Sequence, residues 1–362
     1  MRILILDQFS DLGGAQLCLA GLMPALVEEG WQVHAAAPAG GLLTTLKRLG
    51  AEVHALPAAS YSHGRKSVAD AVRFGVDLPV FVRRVRALAA EAGPDVVYVN
   101  GPRLMPAVAL AGLRSAVVFH SHNRIGSRVE RALVRWAIRR SRASVIAASE
   151  YAAAQWESAR VIYSGVEGPV TARPRDGTLR SAGMIGRISP QKRQKEFVAA
   201  CRQLSKEGAA LQFVVCGAAM FADRRTERYE QELRSPAVAG LRFLGWQDDV
   251  YRVLGDLDLL VVPSRDEGGF PRVAMEAFAA GVPVLAHASG AVPEVIVEGG
   301  TGFLLRSGSA GEIAGRIREL AADPAAVARA AGAGRELWRE RFTVERFRRE
   351  VCGFLRRCAR SG

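Results

Sequence analysis

The segment Ser264-Arg-Asp-Glu-Gly-Gly-Phe-Pro-Arg-Val-Ala-Met-Glu276 brings carboxylates, paired glycines and a helical pattern close together. It follows a buried-strand pattern, Leu257-Asp-Leu-Leu-Val-Val-Pro263. A Gly-rich loop feeding a helix presents unpaired backbone N–H groups and a partial positive charge, which suits a diphosphate. Gly268 and Gly269 allow close backbone approach. Glu276 stands in the first turns of the expected helix, where its carboxylate can accept hydrogen bonds from ribose or sugar hydroxyls. Together these parts describe a nucleotide-sugar site.

Three other clusters could do related chemistry. Arg187 and Lys192 lie five apart across a turn containing Pro190, in Gly186-Arg-Ile-Ser-Pro-Gln-Lys192-Arg193. That spacing can hold two cations around one diphosphate, Arg as a bidentate fork and Lys as a point charge. A solvated basic loop is the plainer reading in a chain of net charge +13. His120-Ser-His122-Asn123 follows an expected strand over 116–119, and such strand ends face the ligand in α/β sheets. Alternation sends one His toward the ligand and the other into the core. His122, further past the strand, is the favoured one. Metal binding there is not expected, because no third ligand is suitably spaced. The first strand–helix turn, Asp7-Gln-Phe-Ser-Asp-Leu-Gly-Gly-Ala-Gln16, lacks Gly-x-Gly-x-x-Gly, which weakens a nicotinamide site. Gly13 and Gly14 there serve either a tight turn or phosphate approach.

The elements needed to position these residues are legible as repeated strand–helix units. In the first half, strands are expected at 3–6, 32–37, 53–56, 95–100, 116–119 and 144–147. Helices are expected at 17–28, 42–49, 68–92 with a break or kink at Pro79, and 127–140. After a polar, Pro-containing stretch from Pro169 to Asp176, the pattern restarts. Strands follow at 182–186, 212–216, 241–244, 257–262 and 284–286, alternating with helices. Two doubly wound parallel sheets place a ligand cleft at strand C-terminal ends, between the domains. The expected domains are 1–168, 169–343 and a basic C-terminal helix, 344–362, packing back toward the first domain.

These segments resemble the GT4 family of retaining glycosyltransferases, which have the GT-B fold of two Rossmann-like domains facing a central cleft. The resemblance rests on Gly186-Arg-x-x-x-x-Lys192, on the segment ending at Glu276, and on Ile162-Tyr-Ser-Gly-Val166, Phe243-Leu-Gly245 and Ala291-Val-Pro-Glu294. It spans nearly the whole chain. It implies a metal-independent transfer of sugar from a nucleoside diphosphate donor to a hydroxyl, with retention and no resident cofactor. It implies that Arg187 and Lys192 hold the diphosphate, that Glu276 meets the ribose and that the Gly13-Gly14 loop approaches the phosphates. The loop of His120 and His122 is implied to contact the sugar near its reacting carbon, and the backbone of Gly268, Gly269, Phe270 and Pro271's neighbour Arg272 to face sugar and phosphates. Two departures stand out. Gln16 lies where many members carry Glu. Eight residues separate Glu267 from Glu276, against seven in the family, so Glu267 or Asp266 takes the first acid's place from a shifted position, or a bulge restores Glu267.

Charge leaves further readings open. Arg128, Arg131, Arg135 and Arg139 recur on one helix face, with Trp136 beside them. That face is either ordinary solvated surface or a site for anionic lipid headgroups, each basic residue there contributing about 1 kcal/mol. A lipid-linked acceptor at the inner face of the membrane, in cell-surface polysaccharide or glycolipid synthesis, fits the second reading. The rival functions are a GT-B-type nucleotide-sugar epimerase and a nucleic-acid-binding protein. Residues 1–165 carry 19 basic and 12 acidic side chains, so the excess is spread over both halves and argues against one nucleic-acid groove. Five scattered cysteines without Cys-x-x-Cys suit reduced thiols in a cytoplasmic protein. Met1-Arg-Ile-Leu-Ile-Leu-Asp7 reads as a first strand, not a signal peptide.

Overall fold

Strand β1 (Arg2–Asp7) is buried at every residue after Arg2, as a central parallel strand covered on both faces must be. It is followed by β2 (Gln32–Pro38), β3 (Glu52–Leu56), β4 (Val96–Asn100), β5 (Ala116–Ser121), β6 (Ser144–Ala147) and β7 (Arg160–Val161). The computed structural model describes residues 1–58, 68–169, 176–219, 224–265 and 267–361. Among these, β1–β7 form a parallel sheet in the order β3-β2-β1-β4-β5-β6-β7. The second series is β8 (Ser181–Ile185), β9 (Gln212–Cys216), β10 (Leu241–Gly245), β11 (Leu259–Val262), β12 (Val284–His287) and β13 (Phe303–Leu305). It forms a parallel sheet ordered β10-β9-β8-β11-β12-β13. Both are doubly wound, with the strand order reversing beside β1 and β8.

The chain divides into two units. One comprises Met1–Gly165 with Val344–Gly362, the other Val166–Thr343. In the first, the final helix Val344–Ser361 seats Phe347, Val351, Cys352 and Leu355 in one core with Leu19, Leu22 and Met23. Its basic residues are partly structural. Arg348 Nε donates to the Gly21 carbonyl at 2.7 Å, and Arg356 pairs with Glu29 at 2.7 Å. In the second unit, Phe197, Phe213, Leu259, Val261, Leu285 and Ile313 are among the residues filling the core on one face of the sheet.

Several elements differ from expectation. The segment Val68–Ala92 is one helix that continues through Pro79. Strand β5 runs on to Ser121 and so includes His120. Strands β7 and β13 span two and three residues, too short for a periodicity to show. Helices Ala310–Ala321 and Pro324–Arg341 start at Ser309 and Asp323, whose side chains accept from the N–H groups of Glu312 and Ala326. Of the expected linker, residues 170–175 lie outside the described residues, as does Asp266.

Candidate functional site

In the second unit the candidate residues gather where β8 and β11 end, beside the reversal of strand order. The chain leaves β8 through Gly186 and Arg187 and closes a short helical turn at Pro190–Lys192. Gln194 braces this loop, its Oε1 accepting from Ser189 N at 3.3 Å and its Nε2 donating to the Arg187 carbonyl at 2.9 Å. Lys192 Nζ forms an ion pair with Glu267, which comes from the loop after β11. Both side chains are largely covered, 25% and 17% exposed. Glu267 is therefore brought into the cluster with Lys192, which its spacing from Glu276 left open. Its backbone is fixed as well, since Ala291 N donates to its carbonyl at 3.0 Å. Gly290, at φ +61°, passes so close that a Cβ there would lie 2.0 Å from that carbonyl oxygen.

The helix Arg272–Ala279 begins after Pro271. Phe270 stacks on Phe278 and Phe342, with centroids 5.7 and 5.6 Å away. Its ring is core, so any ligand contact is left to its backbone. Glu276 is 8% exposed and pairs with Arg272 at 2.8 Å. Burial raises its carboxyl pKa, and the Arg272 guanidinium opposes the rise. The side chain thus keeps a cation beside it and is poised to accept a hydroxyl donor. His287, which sequence reasoning missed, ends β12 with Nδ1 2.9 Å from Ser289 Oγ. Burial, then Arg193 and Arg265, lower its pKa, keeping it neutral beside these cations. A strand-end position was its only sequence signal.

One Asp-x-Asp triplet, Asp256-Leu257-Asp258, occurs before β11. Asp258 accepts from the N–H groups of Arg180 and Ser181, both at 3.0 Å, at the start of β8. This is the sheet end opposite the cluster, and the carboxylate serves to join the two strands.

In the first unit a polar network crosses the ends of β1, β4 and β5. Asp7 is 1% exposed and accepts from Asn100 Nδ2 at 2.5 Å, Gln16 Nε2 at 3.0 Å and Phe9 N at 2.8 Å. Burial raises its pKa against those bonds. Because the Asn100 amide must donate to Asp7, its Oδ1 is left to accept from His122 Nε2 at 2.7 Å. This fixes the tautomer of His122 with the proton on Nε2 and a lone pair on Nδ1. Gln16 also caps the Gly13-Gly14 turn, its Oε1 accepting from Gly13 N at 3.2 Å. His120 is fully buried, hydrogen-bonded through Nδ1 to the Tyr98 hydroxyl, and packed on His122 with centroids 3.9 Å apart. The two histidines therefore play different parts: His122 keeps some exposure and His120 supports it.

The enclosing strand ends push the His122 pKa down from 6.5 to about 4. A depressed His pKa adds stability that is complete above about pH 6.5 and lost as pH falls toward about 4. The thermal midpoint is expected to fall over that window, and less steeply in His122→Gln. Equal slopes in the two proteins would show that His122 does not contribute.

On the helix Arg128–Ser141, Arg131 Nη1 donates to the Ile125 carbonyl, Arg135 donates twice to the Gln155 carbonyl, and Arg139 pairs with Glu157. Part of the basic face thus holds its own unit together. Trp136, 42% exposed, stands on the same surface groove as Arg128.

Two Rossmann-like units, each with its polar cluster at strand C-terminal ends, define a doubly wound α/β architecture. Residues 172–337 match the model for glycosyl transferases group 1, and residues 13–165 that for the glycosyl transferase 4-like domain. The chain belongs to this GT4 glycosyltransferase family. Its fold is GT-B: it is similar to the Anabaena HepE structure in complex with UDP-glucose, with TM-score 0.81, 24% identity and 98% of this chain and 99% of that chain covered. It is likewise similar to the sucrose-phosphate synthase of Thermosynechococcus elongatus, with TM-score 0.80, 19% identity and both chains fully covered. Among curated relatives, the D-inositol 3-phosphate glycosyltransferase of Corynebacterium aurimucosum is 32% identical over 38% of this chain and 34% of its own. The amylovoran biosynthesis glycosyltransferase AmsK of Erwinia amylovora is 25% identical over 48% of this chain and 44% of its own. The chain thus spans less than half the length of these relatives.

Proposed function

We propose that the protein is a retaining glycosyltransferase that moves a sugar from a nucleoside diphosphate donor to a hydroxyl, in cell-surface polysaccharide or glycolipid synthesis. The Lys192–Glu267 pair, set beside the Arg187 loop at the ends of β8 and β11, carries this reading. The name of the Erwinia relative points to polysaccharide synthesis for that protein. In the reaction the bond between the anomeric carbon and the diphosphate oxygen breaks, and its electron pair leaves with the diphosphate. The acceptor oxygen bonds to the anomeric carbon from the same face, and its proton passes to the departing phosphate. Arg187, Lys192 and the loop N–H groups stabilise the growing negative charge, a role a divalent ion would otherwise fill. Glu276 accepts from ribose hydroxyls and Glu267 from the donor sugar. In the first unit, Gly13 and Gly14 are proposed to approach phosphate, and His122 to use Nδ1 toward a sugar hydroxyl.

A turnover assay with nucleotide sugars, UDP-glucose first, tests this. Transfer is expected to continue in EDTA and to give a product of retained anomeric configuration by NMR. Inversion, or loss of activity in EDTA restored by Mg²⁺ or Mn²⁺, would contradict it. Release of an isomerised nucleotide sugar without acceptor would favour the epimerase.

The basic helix face supports action at a cytoplasmic membrane surface on a lipid-linked acceptor. No helix among the described residues is long and apolar enough to cross a membrane. Binding to vesicles rich in anionic lipid is expected at low salt and is expected to weaken steeply as surface charge is screened. Replacing Arg128 alone by Gln is expected to weaken it without disturbing the bonds made by Arg131 and Arg135. Wild-type protein that ignores such vesicles would leave this face as solvated surface.

A further inference from the structure

At the edge of the first unit's sheet, β2 and β3 bring three metal-ligating side chains together. The strands pair in parallel with His34 opposite Glu52 and Ala36 opposite His54. Glu52 and His54 are two apart, so they share a face, and His34 projects from that same face. His34 Nδ1 lies 3.2 Å from His54 Nε2 and 3.5 Å from Glu52 Oε2, and His54 Nε2 lies 3.8 Å from Glu52 Oε1. The rings are stacked at 23° with centroids 5.5 Å apart. The imidazoles are mostly covered, at 14% and 10% exposure, while Glu52 is 63% exposed.

These distances approach those of a coordination polyhedron. Four ligands around an ion at about 2.0–2.1 Å, arranged tetrahedrally, stand about 3.3–3.5 Å from one another. The two imidazole nitrogens, 3.2 Å apart, already stand at about that spacing, and the Glu52 carboxylate brings one oxygen to 3.5 Å from His34 Nδ1 and the other to 3.8 Å from His54 Nε2. Imidazole nitrogen selects late transition metals, whereas magnesium and calcium call for oxygen. We propose that His34 Nδ1, His54 Nε2 and a Glu52 carboxylate oxygen bind a divalent late transition metal ion, zinc in the first instance. A fourth position is left to water on the exposed Glu52 side. The ion would replace the proton shared by the facing imidazole nitrogens and fasten edge strand β3 to β2. The site is confined to these two strands and stands apart from the reaction proposed above.

The test uses the full chain without an affinity tag, stripped by chelator, reloaded with zinc and desalted. The account predicts one zinc retained per chain by elemental analysis and a higher thermal midpoint than the stripped protein. His34→Gln and His54→Gln are expected to lose stoichiometric zinc, and Glu52→Gln to bind more weakly. Should a variant misfold, imidazole nitrogen NMR of the wild type decides, since zinc must shift the His34 Nδ1 and His54 Nε2 resonances. Wild type that retains no zinc, zinc retained equally by both histidine variants, or two unshifted resonances would overturn the proposal.

Discussion

Replacing Lys192 or Arg187 by Ala is expected to lower kcat/KM by about two to three orders of magnitude, the loss seen when one group stabilising transition-state charge is removed. Both residues lie on a loop that Gln194 holds in place, so in the proposed reaction they would meet the leaving diphosphate without reorganising. Lys192 has a second effect, because its removal leaves Glu267 without its cation. Lys192→Ala is therefore expected to raise KM as well as lower kcat. Lys195→Ala is a fitting control. That ammonium is 53% exposed and pairs with Glu232, so its loss is expected to leave activity near wild type. Wild-type kcat/KM in both Lys192→Ala and Arg187→Ala would remove the charge clamp from the account.

Glu276→Gln is expected to weaken donor binding about ten- to a hundred-fold, the range for a lost hydrogen bond to a charged group. The substitution keeps the side chain's volume but leaves the Arg272 guanidinium, 2.8 Å away, without a counter-charge. Arg272→Gln separates the two causes. If Glu276 acts on the donor directly, Arg272→Gln is expected to affect binding less than Glu276→Gln does. Equal losses in the two variants, or donor affinity in Glu276→Gln equal to wild type, would instead make this pair a structural one.

The sequence was most legible where one residue type has one physical use. The largely apolar run Leu257–Pro263 reads as a buried strand, and its Leu259–Val262 forms β11. Arg187 and Lys192 could be read as a pair from their spacing across Pro190. The partner of Lys192 could not, because Glu267 lies 75 residues away and meets it only once β8 and β11 are neighbours. The metal-ligating group at His34, Glu52 and His54 was hidden for the same reason. It exists only in the register that sets His34 opposite Glu52. The basic helix shows the reverse failure. A row of arginines at three- and four-residue steps reads as open surface, yet the Ile125 and Gln155 carbonyls hold Arg131 and Arg135. Likewise the charge of the basic tail gave no sign that Arg348 and Arg356 tie its helix to its own unit.

The central claim is that the ends of β8 and β11 bind a nucleoside diphosphate. Thermal unfolding in the presence of UDP, GDP and ADP tests it most directly, because a ligand at 100 times its Kd adds about 2.7 kcal/mol of stability. The account predicts a saturable rise in midpoint with at least one nucleotide, lost in the Arg187→Ala, Lys192→Ala double variant. No rise with any of the three at millimolar concentration, or an undiminished rise in the double variant, would contradict it.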